Sequence, residues 1–209
     1  MLRIYHASVL PLLDRKGGEN LSPYRQEKLK KINNPRVYAQ SLGAELLLMA
    51  ALRDMGLPAA EPLAISSGGA GKPEIAGGPE FSLSHSGERV LCALSDRTVG
   101  ADLQQIHRHT PALARRYFTA EEANWLEKQR DQDQAFTLLW SLKESYLKFL
   151  GCGIAGGHLD SFTVRIAPEG RAHIDGSDMK LWYAVHTGYV MTVCSDAYPQ
   201  PETIKEMKL

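Results

Sequence analysis

Residues 81–96 (FSLSHSGERVLCALSD) and 181–196 (LWYAVHTGYVMTVCSD) share one pattern: a strand-like run, a His-(Ser/Thr)-Gly turn, a second strand-like run, then Ser-Asp. Superposing the turns takes a one-residue gap. The two stretches lie about 100 residues apart in a chain of 209. Each reads as a hairpin, so the chain is constrained to two similar α/β halves, expected at 1–100 and 101–209 and related by a pseudo-twofold axis. A cleft between such halves is where a binding site is expected. The alternative is two unrelated hairpins built from common turn residues.

Local signals fill in the halves. Residues 2–10 read as a strand. Ser22 as N-cap and Pro23 at the first helical position open a short helix over 22–32. Asn34 and Pro35 open a second helix and Gly56 stops it; Tyr38, Leu42, Leu46, Met49 and Leu52 recur between them at helical spacing, giving 35–55. Residues 58–78, rich in Gly, Ala, Pro and Ser, read as loop with one short strand near 64–66. Strands follow at 81–84 and 89–95 around a turn at Ser86 and Gly87, with a short strand at 99–103. Thr119 and Glu122 form a capping box that places a helix at about 120–130. The clearest helix is 134–150, with Phe136, Leu139, Trp140, Leu147 and Leu150 in one apolar stripe and Gly151 as its stop. Strands are expected near 161–166, 181–185 and 189–195, and the tail from Tyr198 as an extension or arm.

Charge excludes some functions. Lys and Arg number 24 and Asp and Glu number 24, so no single-signed surface for nucleic acid or membrane is expected. Cys92, Cys152 and Cys194 are odd in number, widely spaced and contain no C-x-x-C pair, which speaks against a disulfide framework or structural zinc and for a cytoplasmic protein. The N-terminal apolar run is broken and strand-like, unlike a signal peptide. No run approaches the ~18 apolar residues of a membrane span.

Several residues could carry chemistry. In VGADLQ (99–104), Asp102 and Gln104 alternate with apolar residues, so on a strand both side chains point to one face. A carboxylate and an amide carbonyl there are plausible oxygen ligands for Mg²⁺; an ordinary strand-end cap is the plainer reading. In LWSLKESYLKFLG (139–151), Glu144 and Lys148 stand four apart in the favourable order, either as a surface ion pair or, with Lys143, as charged groups held toward a cleft by a core-packed helix. Lys72 sits between Gly71 and Pro73 after SSGGA, a constrained loop without P-loop spacing. Ser84 and His85 are adjacent on a strand and face opposite ways, so they are no nucleophile–base pair, though His85 could donate to a phosphate. His107 and His109 flank Arg108 in an expected loop with no carboxylate nearby. Arg25, Lys28, Lys30, Lys31 and Arg36 against Glu27 form the strongest local charge bias.

Taken in order, GKP (71–73), FSLSHSG (81–87), VGADLQ (99–104), RRYFTAEE (115–122) and LWSLKESYLKFLGCGI (139–154) resemble the 4'-phosphopantetheinyl transferases of the surfactin-synthetase type. The helix motif W-S/T-x-K-E-S/A-x-x-K is the most specific part, and the similarity spans nearly the whole chain. The resemblance implies an α+β pseudo-dimer in which each half packs a small, mostly antiparallel sheet on a long helix. It implies transfer of 4'-phosphopantetheine from coenzyme A to a serine hydroxyl of an apo acyl- or peptidyl-carrier protein, with release of adenosine 3',5'-bisphosphate. By motif position, Asp102 and Glu144 would hold Mg²⁺ (Mn²⁺ being the alternative ion), with Gln104 as a weaker or water-mediated ligand. Glu144 would remove the serine proton and Lys148 would stabilise the leaving phosphate. Arg25, Lys28, Arg36, Lys72, Ser84, His85, Lys143 and Lys148 would hold coenzyme A. A monomer is expected.

Two departures bear on this. Gln104 stands where relatives often carry Glu, and Gln40 where they often carry an Arg, for which Arg36 one helical turn earlier could compensate. They motivate an alternative from another class: a non-catalytic module that grips a carrier protein or coenzyme A. A Mg²⁺-dependent hydrolase of coenzyme A is a further enzyme reading.

Overall fold

In the computed structural model, residues 1–17, 20–58, 62–68, 72–152 and 158–209 are described, Pro201 by its backbone alone. Gly71 of the GKP triplet and residues 153–154 lie outside the described residues. The chain divides into two compact units, one of Met1–Arg97 with Pro199–Leu209 and the other of Thr98–Tyr198.

The first unit contains β1 (Leu2–Ser8), α1 (Pro23–Leu29), α2 (Pro35–Asp54), β2 (Ile65–Ser67), β3 (Pro73–Ile75), β4 (Glu80–Ser86) and β5 (Arg89–Ser95). Its helices start where the side chains dictate. Ser22 Oγ accepts from the Arg25 amide at 3.1 Å, and Asn34 Oδ1 accepts from the amides of Arg36 and Val37 at 2.9 and 3.2 Å, with a proline opening each helix. Helix α2 lays Leu42, Leu48 and Leu52 on the sheet against Tyr5, Val90 and Leu94. The second unit contains β6 (Gly100–Gln105), α3 (Pro111–Tyr117), α4 (Ala120–Glu127), α5 (Gln132–Leu150), β7 (Val164–Ala167), β8 (Arg171–Ile174), β9 (Lys180–His186) and β10 (Tyr189–Ser195). Thr119 and Glu122 make both bonds of the capping box at α4. Asp131 caps α5, and Gly151 ends it at φ +72°. Helix α5 packs on β6 and β10.

Four expectations change. Residues 58–78 hold two strands, β2 and β3 paired antiparallel, and Pro73 is tolerated because it is the first residue of a two-stranded ribbon. Helix α3 (PALARRY) and strand β8 (RAHI) lie outside the expected elements; at seven and four residues they are too short for periodicity to single them out. Leu150 falls off the apolar stripe of α5 and is 49% exposed. The tail is no arm: β11 (Ile204–Met207) pairs parallel with β1, Ile4 opposite Ile204, and belongs to the first unit rather than to 101–209. Arg89 donates to Glu206 at 3.0 Å and Lys205 to Asp54 at 2.6 Å, fixing that edge strand.

Both units repeat one topology: a first strand, a long helix, then a hairpin whose second strand pairs antiparallel with the first strand. The sheet orders are β11-β1-β5-β4 and β6-β10-β9-β8-β7. Hairpin partners fall 100 residues apart, Ser86 with Arg89 and His186 with Tyr189, Glu80 with Ser95 and Lys180 with Ser195, so no gap is needed. The triplets HSG and HTG are one place out of step; His85 is second to last in β4, whereas His186 is last in β9. The turns themselves differ, with positive φ at Gly87 in one and at Thr187 and Gly188 in the other. Register also aligns Tyr5, opposite Cys92, with Asp102, opposite Thr192. Where the second unit buries a carboxylate, the first buries a phenol that donates to Asp54 at 2.9 Å.

Candidate active site

The site is built on the contact of α5 with β6. A Cβ on Gly100 would lie 2.0 Å from the Ser145 carbonyl oxygen and 2.3 Å from the Phe149 nitrogen, so only glycine lets the helix backbone lie this close to the strand. Ser141, Glu144, Ser145 and Lys148 recur at the three- and four-residue spacing of one helix face. Ser141 and Lys148 meet Asp102 across that close contact.

Asp102 is buried and surrounded by donors. Lys148 Nζ donates to its Oδ1 at 2.7 Å and to the Ala101 carbonyl at 3.1 Å. Ser141 Oγ and Gln104 Nε2 each donate to Oδ2 at 3.0 Å. Thr192, opposite Asp102 on β10, donates to the Ser141 carbonyl at 2.8 Å and lies 2.9 Å from its hydroxyl. The strand alternation that set Asp102 and Gln104 on one face therefore holds, and their side chains touch.

Glu144 contrasts with it. It is 3% exposed, and its Oε1 has no hydrogen-bond partner among the described residues. Burial, reinforced by the Asp102 charge and opposed by Lys148, pushes its pKa up to about 7. A buried acceptor without a donor is costly, and a carboxyl poised near neutrality is characteristic of sites that move protons or hold cations.

Among the described residues no three His, Cys, Asp or Glu side chains gather as a ready-made metal site. The donors present are nevertheless all oxygens: the two carboxylates of Asp102 and Glu144 and the amide oxygen of Gln104, whose nitrogen is engaged by Asp102. The orphaned Glu144 oxygen beside a second carboxylate suits a hard divalent cation such as Mg²⁺, which keeps part of its shell as water and substrate.

Other residues singled out by sequence sit elsewhere. Lys143 has no exposed side-chain surface; its ammonium pairs with Glu122 at 2.8 Å, donates to the Leu159 and Phe162 carbonyls at 2.6 and 2.5 Å, and lies over the Phe162 ring. It cannot reach a bound phosphate from there, which corrects its assignment to coenzyme A. Glu122 in turn accepts from the Val164 amide at 2.7 Å, so this pair ties α4, α5 and the start of β7 together. In the first unit Arg25 is likewise buried, its Nε 3.3 Å from the fully buried Glu45 and its Nη1 donating to Ser41 at 3.0 Å. Glu45 also accepts from the Ser22 amide and hydroxyl, so Arg25 clamps α1 to α2. Lys28 is exposed and makes no hydrogen bond or ion pair among the described residues. Arg36 reaches Glu88 at 3.4 Å, and Gln40 donates to the Gly87 carbonyl at 2.8 Å, so α2 holds the tip of the β4–β5 hairpin. Lys72 lies 3.3 Å from Glu80; Ser84 is buried and His85 exposed, as strand alternation requires. His109 does have a carboxylate, Asp133 on α5, at 2.7 Å from its Nδ1, and stacks on Phe136. Cys92 and Cys194 are buried free thiols whose pKa values burial raises.

Sequence reasoning missed Ser141, Thr192 and Gly100. Ser141 could have been found, since it stands three residues before Glu144 and seven before Lys148. Thr192 becomes visible only through strand register.

The second unit, with Asp102, Glu144 and Lys148, coincides with the region that matches the family model of the 4'-phosphopantetheinyl transferase superfamily, residues 98–194. The whole chain is similar to 4'-phosphopantetheinyl transferase psf-1 of Bacillus pumilus, 32% identical over 93% of this chain and 90% of that protein. It is similar to 4'-phosphopantetheinyl transferase Sfp of Bacillus subtilis (strain 168), 31% identical over 88% of this chain and 86% of that one. A further relative, 4'-phosphopantetheinyl transferase gsp of Aneurinibacillus migulanus, is 32% identical over 65% of this chain and 58% of its own length. These similarities define the class of the protein as a 4'-phosphopantetheinyl transferase. The chain belongs to the 4'-phosphopantetheinyl transferase superfamily. Among the described residues no helix is long and apolar enough to cross a membrane.

Proposed function

We propose that this chain transfers 4'-phosphopantetheine from coenzyme A to a serine hydroxyl of an apo acyl- or peptidyl-carrier protein. The observation that carries the reading is the single helix face from which Ser141 and Lys148 meet Asp102 and on which Glu144, its pKa raised by burial and by the Asp102 charge, stands between them. The nucleophile belongs to the partner, so the enzyme has to supply positioning, a base and charge neutralisation.

Asp102 and Glu144, with the Gln104 amide oxygen, would hold Mg²⁺ or Mn²⁺. Bound there, the ion would neutralise the pyrophosphate of coenzyme A and polarise the phosphorus under attack. Glu144 accepts the serine proton, directly or through water. The serine Oγ bonds to the phosphorus that bears pantetheine as the bond from that phosphorus to the bridging oxygen breaks. Adenosine 3',5'-bisphosphate leaves with the bond's electron pair, and the Lys148 ammonium neutralises that charge. Lys28, Arg36, Lys72 and His85, with Ser84 beside them, supply cations and donors for the remaining phosphates. Arg25 acts by holding α1, which carries Lys28.

Coenzyme A, Mg²⁺ and a panel of apo carrier proteins should yield carriers heavier by one phosphopantetheine on intact mass spectrometry. Coenzyme A binding without modification of any carrier would favour the binding module. Adenosine 3',5'-bisphosphate released without carrier would favour hydrolysis.

A further inference from the structure

The Lys148 ammonium stands where a cation belongs. It lies 2.7 Å from Asp102 Oδ1 and 3.1 Å from the Ala101 carbonyl, a contact pair of carboxylate and backbone oxygens. Ser141 and Gln104 bind the other oxygen of the same carboxylate, at 3.0 Å each. Asp102 is thus satisfied by the chain alone, whereas Glu144 Oε1, on the helix face that also carries Ser141 and Lys148, has no partner among the described residues. One half of the cation site is closed by an ammonium and the other half is left open.

We infer that Lys148 is an internal counter-ion that a divalent cation must displace from Asp102, and that this displacement couples cation binding to coenzyme A binding. The inference rests on the reading of Asp102 and Glu144 as cation ligands. An ammonium and a dication both drawn to Asp102 Oδ1 would lie within a few ångströms of each other, and their repulsion opposes joint occupancy. The Lys148 side chain is 30% exposed and its four-carbon stem is flexible, so the ammonium is able to swing away. Without a phosphate, its destination is water beside a dication, which is unfavourable. With the coenzyme A pyrophosphate in place, the released ammonium gains an anionic partner. Each ligand therefore tightens the other, and by linkage the factor is the same in both directions.

Gln104 completes the device. A third carboxylate at that position would leave a net negative cluster that a single lysine could not balance, and it would retain a cation whether or not coenzyme A was present. A neutral amide that donates to Asp102 lets the site stay closed and folded without metal.

The test is Mn²⁺ binding to the full chain, read by electron paramagnetic resonance of free Mn²⁺ and by calorimetry, with and without coenzyme A and without any carrier. The parent should bind Mn²⁺ weakly alone and more tightly with coenzyme A. Lys148→Met removes the competing ammonium and should bind Mn²⁺ about tenfold to a hundredfold more tightly without coenzyme A, the range set by the loss of one charge-assisted hydrogen bond. Its further tightening by coenzyme A should shrink by the same factor, leaving only what direct attraction between the cation and the pyrophosphate supplies. Lys148→Gln, which keeps a donor but no charge, should behave likewise and guards against a folding defect in the first variant. Neither variant binding Mn²⁺ more tightly than the parent, or an undiminished effect of coenzyme A in both, would overturn the inference. Asp102→Asn separates the two levels. If it loses Mn²⁺ while the Lys148 variants gain nothing, the cation site stands and the counter-ion role falls. If it binds Mn²⁺ as the parent does, the cation site itself falls, and the inference with it.

Discussion

Replacing Gly100 with alanine should separate α5 from β6 and dismantle the site without touching a charged residue. The new Cβ would lie 2.0 Å from the Ser145 oxygen, 2.3 Å from the Phe149 nitrogen and 2.9 Å from the Phe149 Cα, all backbone atoms that cannot rotate aside. Reaching even 3.0 Å, a distance real Cβ atoms rarely go below, requires the helix or the strand to move by about 1 Å. A shift of that size would stretch the Lys148–Asp102 bond of 2.7 Å and the Ser141–Asp102 bond of 3.0 Å beyond useful length. Overpacking costs about 1–3 kcal/mol and the loss of charge-assisted bonds about as much again, so a destabilisation of roughly 3–5 kcal/mol is expected. A misplacement of about 1 Å should lower turnover about a hundredfold in whatever fraction stays folded. Urea unfolding and carrier modification followed by intact mass measure the two effects. Gly56→Ala is the control, since Gly56 lies in open space at φ +66° and its substitution strains only the backbone, by about 1 kcal/mol. If Gly100→Ala unfolds within ~0.5 kcal/mol of the parent and turns over within about threefold, the close helix–strand contact is not what positions the site.

Other substitutions test separate parts. The Glu144 pKa, raised from 4.5 to about 7, means the folded protein holds that proton more tightly than the unfolded chain; this contribution to stability is present below pH 4.5 and lost as pH rises through 7. With a chelator present, Glu144→Gln should therefore be more stable than the parent at pH 8, by up to about 3 kcal/mol, and the difference should vanish near pH 4; a gap that does not change with pH would contradict the burial argument. Lys143→Met leaves Glu122 buried without its cation and should cost about 3–5 kcal/mol in urea, with KM for coenzyme A unchanged in the folded enzyme. Unchanged stability with a KM raised tenfold would instead place Lys143 on coenzyme A. Deleting residues 204–209 removes β11 together with the buried contacts of Met207 and Leu209 and should lower stability by about 3 kcal/mol or more; a melting curve like the parent's would mean the tail is a free arm after all.

Much of this architecture was legible because its signals are local. Ser22, Asn34 and Thr119 cap helices through atoms two or three residues away, and the sequence carries both partners of each bond; Asp131 caps α5 in the same way and starts that helix at Gln132 rather than at the expected 134. Alternation put Asp102 and Gln104 on one face, and helical spacing put Glu144 and Lys148 on another. Composition and turn chemistry located the hairpins, although the histidine triplets aligned them one residue out. What escaped was non-local. Strand β11 is ordinary in sequence and becomes a strand only because β1, about 200 residues earlier, offers a free edge.

The same division governs the two halves of one motif. By itself the sequence determined that Lys143, Glu144 and Lys148 share a helix, and that two halves repeat a strand, a long helix and a hairpin. It also determined that local clusters of cations and carboxylates lie within a chain of zero net charge. Tertiary structure decided what each group does. Lys143 and Glu144 are neighbours in the chain, yet one is neutralised by Glu122 in the core and the other has an oxygen with no hydrogen-bond partner among the described residues. Adjacent positions on a helix point about 100° apart, and a charge's behaviour depends on the atoms within a few ångströms of it. Those atoms come from β6, β10 and α4, tens of residues away in the chain, and only packing brings them into range.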